Sequence, residues 1–255
     1  MKLIAAAAAL ALVLVGVAAA ATSVNALTLY PAGGGQGTYA AWKAQEGRVD
    51  SRGTANQALY LQNLTGAENT AASAIVKGFE GTQVRFLTSL GYEYRVKGST
   101  CTKTDPRWTL FIRGRSGKRY LVTLGCAVTP ARPTGDPAWI GRVFTQQLIR
   151  AEVLKQEGSD AFAGTVDGLA FVMDRSKGEV FADNLEVASR TASKTWTFAG
   201  DNGNGAPGAP SFSAEDQALL AAPIPDVALL DEADLMASLT PEEQAVIAED
   251  ADPAS

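Results

Sequence analysis

The chemistry open to this 255-residue chain is bounded first by a side chain it lacks: there is no histidine. Triads that need an imidazole base and metal sites that need an imidazole ligand are excluded. Acid–base work would fall to carboxylates, and glycoside hydrolysis needs only two of them. Asp167, Asp174, Glu179 and Asp183 lie close in sequence. Strand alternation can bring some of them to one face, but no apolar pocket singles out a pair whose pKa values would be driven apart. Carboxylates at strand ends and turns give the same pattern, so the residues favour a non-catalytic protein over an enzyme.

Cys101 and Cys126 are the only cysteines. Two are too few for a zinc finger or an iron–sulfur cluster, and their spacing is not the CxxC of a redox pair. In an oxidising compartment the expected outcome is a disulfide. The residues between them read as a hairpin, with 108–113 and 119–125 alternating about a turn at 114–118. Folding that hairpin returns Cys126 to Cys101.

Four tryptophans are candidates for stacking on sugar rings. Trp108 alternates with Leu110 and Ile112 and reads as core; Trp196, among Thr and Lys, reads as edge packing. Trp139 follows a rigid loop with prolines at 130, 133 and 137, and Trp42 sits in Ala-Ala-Trp-Lys. A ring on a loop is more often exposed and functional, so Trp139 and then Trp42 are the expected ligand-binding rings. Rings so placed can also plug the end of a sandwich. Arg113, Arg115, Lys118 and Arg119 cluster on the hairpin turn. They could hold an anionic polymer, or simply keep a turn solvated. No nucleic-acid-binding motif is present, and no nucleic-acid partner is expected.

The elements that must position these residues follow from patterning. Met1-Lys2, an apolar run over 3–21 and Val24-Asn25-Ala26 have the layout of a secretory signal peptide cleaved near Ala26, with an uncleaved anchor as the rival. The expected location is secreted or cell surface, with no membrane contact once the segment is removed. Residues 27–200 carry 21 basic and 15 acidic side chains, and 201–255 carry 12 acids and no Lys or Arg. The two parts are joined by a Gly/Pro/Asn linker, so the expected division is a signal at 1–26, a domain at 27–200 and an acidic tail at 201–255. The tail is expected to be mostly disordered, with short helices starting at Ser213 and Thr240 that could meet a protein partner or the basic domain.

Within 27–200, alternating runs recur between Gly-rich breaks: 58–63, 74–77, 83–87, 92–97, the cysteine-flanked hairpin, 169–173 and 180–187. The one candidate helix is 141–156, which also reads as two strands. Many short strands with frequent turns predict an all-β, antiparallel sandwich of jelly-roll type.

The opening strand Leu27-Thr-Leu-Tyr30, the strand Ala58-Leu-Tyr-Leu61, and the closing stretches 166–174 and 178–187 with Asp183-Asn184 resemble carbohydrate-binding-module-like jelly rolls of exported bacterial proteins. The resemblance implies a fold more strongly than a ligand. It implies a glycan as partner and no cofactor beyond a structural calcium at Asp183, tying the last strand to the first. Residues 27–37 contain no carboxylate to complete that ligand set, and the other reading of Asp183-Asn184 is a cap or bulge of an edge strand. Two functions stay open: a secreted non-catalytic module binding a carbohydrate or other extracellular polymer, and a cell-surface structural or interaction protein that recognises partners through its tail.

Overall fold

The computed structural model describes residues 28–34, 37–48, 57–67, 70–97, 101–102, 104–196 and 214–221, with Pro241 and Gln244. The expected signal segment and most of the acidic tail lie outside the described residues.

Among the described residues, twelve strands form two antiparallel sheets. In chain order they are β1 Thr28–Gly34, β2 Thr38–Ala44, β3 Gln57–Asn63, β4 Ala71–Lys77, β5 Leu87–Lys97, β6 Arg107–Arg113, β7 Arg119–Gly125, β8 Arg132–Pro133, β9 Ile140–Thr145, β10 Thr165–Met173, β11 Gly178–Ser189 and β12 Ser193–Trp196. The first sheet runs β1-β4-β10-β6-β7. The second runs β2-β3-β11-β5-β9-β8, and β12 pairs with the far half of β11. This is the antiparallel sandwich that the strand pattern predicts.

The period of two explains which residues face inward. Leu59 and Leu61 of β3, Tyr92 and Tyr94 of β5, and Val180 and Ala182 of β11 point into the core. There they meet Val76 of β4, Trp108 and Leu110 of β6, and Leu169, Phe171 and Met173 of β10. The Phe171 ring lies 4.7 Å from Tyr92 and 5.3 Å from Trp108. The Tyr92 hydroxyl donates to the Pro106 carbonyl at 3.0 Å, so the polar end of this buried ring is satisfied.

Two expectations from the sequence are corrected. The helix is not 141–156. Residues 140–145 are β9, and helix α1 spans Gln146–Phe162. Thr145 sets that boundary: it is extended, and its Oγ1 accepts from the Leu148 N–H at 3.3 Å, a cap worth about 1 kcal/mol. Within 83–87, residues Val84–Phe86 form a 3₁₀ turn and β5 begins at Leu87.

α1 covers the open edge of the first sheet. Gln156 accepts from the Thr123 N–H at 3.0 Å and donates to the Thr123 carbonyl at 2.9 Å, pairing the backbone of edge strand β7 as a neighbouring strand would. Gly158 has φ 76° and breaks the helix, so that Asp160 turns back to the 114–118 turn. Asp160 accepts there from the Ser116 N–H at 2.9 Å and the Tyr120 hydroxyl at 2.8 Å.

Two covalent or ionic ties fix the hairpin β6–β7. Cys101 and Cys126 are disulfide-bonded, with Cα atoms 5.4 Å apart. Arg107 is fully buried and grips Asp174 through two hydrogen bonds, at 2.5 and 2.6 Å, and Asp105 through one at 2.9 Å. Asp105 also accepts from the backbone N–H groups of Arg175 and Ser176, locking the β10–β11 turn to the start of β6. One guanidinium faces two buried carboxylates here, and burial pushes the Asp105 carboxyl up to about 6.

Candidate functional site

Register places three rows of outward side chains on the second sheet. Gln62 of β3 stands opposite Tyr39 of β2 on one side and Glu179 of β11 on the other. The next row is Ala41, Tyr60, Phe181 and Arg95, on β2, β3, β11 and β5. In a third row Asp183 of β11 faces Glu93 of β5, which faces Gly141 of β9.

Half of this face is covered. The Arg48 side chain pairs with Glu93 and donates to the Thr134 carbonyl at 2.6 Å, while its backbone N–H donates to Asp183 at 2.7 Å. Arg95 pairs with Glu46 and lies 4.3 Å from the Phe181 ring and 5.4 Å from the Trp139 ring. The segments 45–48 and 134–139 therefore fold over β5 and the β9 end of the sheet.

The other half is open. Tyr39 is 50% exposed, and its ring lies 5.9 Å from Tyr60, which lies 4.9 Å from Phe181. Lys43 Nζ stands 3.2 Å from the Tyr60 ring centroid. Gln62 Nε2 donates to Glu179 at 3.2 Å, and Tyr60 hydrogen-bonds Glu179 as well. Burial first, and then the Glu179 carboxylate, raise the Tyr60 hydroxyl well above its usual range, so it stays a neutral donor. The patch thus offers an exposed ring, an ammonium, an amide and a carboxylate within a few residues of one another across three strands. That mixture suits a ligand with apolar faces and hydroxyl edges.

The residues singled out from sequence fall elsewhere. Trp42 is 7% exposed in the main core, and Trp139 is 5% exposed in a cluster with Ala58, Tyr60 and Phe181. The expected exposure of either ring is overturned: Trp42 points inward by strand alternation, and Trp139 lies beneath Arg95. In the basic cluster, Arg113 and Arg119 both pair with Asp167, at 2.9 and 3.0 Å, and Arg119 also reaches Glu215 of the tail at 2.8 Å. Arg115 and Lys118 are exposed, and Lys118 lies 4.6 Å from the Tyr120 ring.

Asp183 is not on an edge strand, since β11 pairs with β3 and β5. The pairing with β5 shifts register between Asp183 and Glu186, and Asn184 has φ 48°, so the bulge reading is the one found at a central position. Both Asp183 oxygens accept backbone N–H groups, from Arg48 and Asn184, each at 2.7 Å. Burial pushes its carboxyl up to about 6. A guanidinium at the neighbouring Glu93 and donors on both oxygens do not suit calcium, which needs six to eight oxygen ligands. Among the described residues no group of three or more acidic or Cys side chains is placed to hold a metal.

The four carboxylates close in sequence are dispersed. Asp167 meets Arg113 and Arg119, and Asp174 meets Arg107. Glu179 and Asp183 share a face but are four strand residues apart, about 13 Å, beyond the separation glycosidase pairs use.

No family model and no curated protein matches the chain. Among solved structures it is similar to the family 11 carbohydrate-binding module of a cellulosomal cellulase of Clostridium thermocellum, at 11% identity and TM-score 0.38, over 64% of this chain and 87% of that one. It is similar also to the C-terminal family 22 carbohydrate-binding module of a xylanase from the same organism, at 13% identity and TM-score 0.31, over 71% of this chain and 91% of that one. A third is an exo-beta-agarase, at 11% identity and TM-score 0.35, over 64% of this chain and 24% of that one. These distant likenesses assign it no ligand. No helix among the described residues is long and apolar enough to cross a membrane.

Proposed function

We propose that this chain is an exported, non-catalytic binding module that takes carbohydrate on the open half of its second sheet. The apolar run at 3–21 supports export. The observation that carries the ligand reading is the half-exposed Tyr39 ring beside the Gln62–Glu179 pair, on a sheet face rather than a loop. A pyranose ring lies flat on Tyr39, with its hydroxyls toward Gln62, Glu179 and the Lys43 ammonium. Strands hold all four side chains, so the site is formed before the ligand arrives, which limits the ordering cost of binding.

The basic turn has weaker support as a ligand site, because Arg113 and Arg119 are already paired with Asp167. A glycan array probed with the full mature chain tests the reading. Selective retention of a neutral glycan family, lost in Tyr39→Ala, is the expected result. Retention of anionic polymers alone, unchanged by Tyr39→Ala, would move the site to the 113–119 turn.

A further inference from the structure

The tail begins with helix α2, Ala214–Ala221, and this helix is docked on the outer face of the first sheet. Leu220 is 7% exposed, packed with Ile75, Phe111, Ala170 and Val172, and Leu219 and Leu121 lie against the same cluster. Both ends of the helix meet an arginine. Arg119 pairs with Glu215 at 2.8 Å, and Arg175 donates to the Leu220 carbonyl at 3.0 Å. The face therefore selects a short helix with an acid in its first turn, an aliphatic pair in its last, and a free C-terminal carbonyl.

The chain contains that sequence pattern twice. Ser213-Ala-Glu-Asp-Gln-Ala-Leu-Leu-Ala221 and Thr240-Pro-Glu-Glu-Gln-Ala-Val-Ile-Ala248 agree in type at eight of nine positions, with hydroxyl cap, Glu, a second acid, Gln, Ala, two aliphatic residues and Ala, and differ only where Pro241 matches Ala214. Pro241 and Gln244 of the second copy are helical. In the aligned sequences Val246 and Ile247 match Leu219 and Leu220, and Glu242 matches Glu215, the partner of Arg119.

We propose that the outer face of the first sheet is a docking site for this acidic–aliphatic helix, and that segment 241–248 of the same chain is its second occupant, exchanging with α2. Tether length sets the balance. The 17 residues 197–213 link the sandwich to α2, and the 44 residues 197–240 link it to the second copy. For equal contacts, loop closure favours α2 by about fourfold, so both states are populated. The own chain is the source because a swapped copy would gain no docked helix while giving up translational freedom. Each exchange frees one acidic helix and holds the other, so the face governs which part of the tail is presented to solvent.

The test places a photo-cross-linking benzoylphenylalanine at Leu121 of the full chain and maps the products by mass spectrometry. In the otherwise unchanged chain, cross-links to 214–221 exceed those to 241–248 by about fourfold. In Leu219→Asp/Leu220→Asp the 241–248 products become dominant, and adding Val246→Asp/Ile247→Asp abolishes them. Leu220→Ala, a milder change, shifts the ratio the same way. Circular dichroism and an intact Cys101–Cys126 bond confirm that the sandwich persists in each variant. Absence of cross-links to 241–248 when α2 is disabled would overturn the proposal. So would products found only between isotopically distinct chains in a mixed sample.

Discussion

Lys43 stands over Tyr60 with its ammonium 3.2 Å from the ring centroid, and the two residues lie on neighbouring strands as a diagonal pair, two residues out of direct opposition. The contact joins β2 to β3 on the face proposed to bind sugar. Lys43 is partly exposed and the Tyr60 ring is only 4% exposed, and such a cation–π contact contributes about 1 kcal/mol. Lys43→Gln should lower the unfolding free energy by that amount, and Lys43→Arg should keep most of it. Urea unfolding of the three proteins measures this, and equal midpoints would count against the contact.

Tyr39 makes a different prediction, since its exposed ring does little for the fold. Tyr39→Ala should leave the unfolding midpoint within about 0.5 kcal/mol, as expected for a surface position. Glycan affinity should fall by about tenfold, the worth of one stacked ring. Calorimetric titration and thermal melting on the same samples separate the two effects.

The disulfide closes a separation of 25 residues around the β6–β7 hairpin. Cys101→Ser/Cys126→Ser should be less stable by about 2–4 kcal/mol in the chain-entropy account. Two free thiols per molecule in the native protein, by thiol titration, would remove the basis for this.

Asp105 and Asp183 give a pH dependence with a definite sign. Each carboxyl is held up at about 6 in the folded protein, against 3.8 for the unfolded value, and burial is the largest cause in both. Between those values the folded state binds more protons than the unfolded state, so these two groups make stability fall as pH rises from about 4 to about 6. Carbon-13 NMR of the carboxyl groups should show both titrating near 6. Midpoints below 4 would contradict the burial argument.

Arg107 holds two carboxylates in the core, and removing it leaves both without their cation. Arg107→Met should destabilise by about 3–5 kcal/mol. The triple replacement of Arg107, Asp105 and Asp174 by apolar residues of similar volume should recover much of the loss. No difference between the single and triple variants would show that burial of uncompensated charge is not the cause.

Much of the fold was legible because strand alternation is written in the side chains. Tyr92, Tyr94 and Val96 against Glu93, Arg95 and Lys97 mark β5 in the sequence itself. β9 reads as part of a helix because Val143, Phe144 and Leu148 also fit a helical spacing, and only the cap at Thr145 separates strand from helix. The site was less legible. Tyr39 and Lys43 alternate with Trp42 on β2, and the larger ring is the more conspicuous in sequence although it faces the core. Tyr60 and Phe181 become one surface only through the β3–β11 register, a pairing 121 residues apart that no local pattern encodes. Trp139 reads as exposed from its loop, and it is buried because Arg95 lies over it.

Backbone amide chemical-shift mapping locates the bound sugar on the molecule. The full mature chain, labelled with nitrogen-15, is titrated with an oligosaccharide retained on the array. Saturable shifts are expected at Tyr39, Lys43, Gln62 and Glu179, with the 113–119 turn unmoved. Shifts confined to Arg113, Arg115, Lys118 and Arg119, or none on β2, β3 and β11, would contradict that placement.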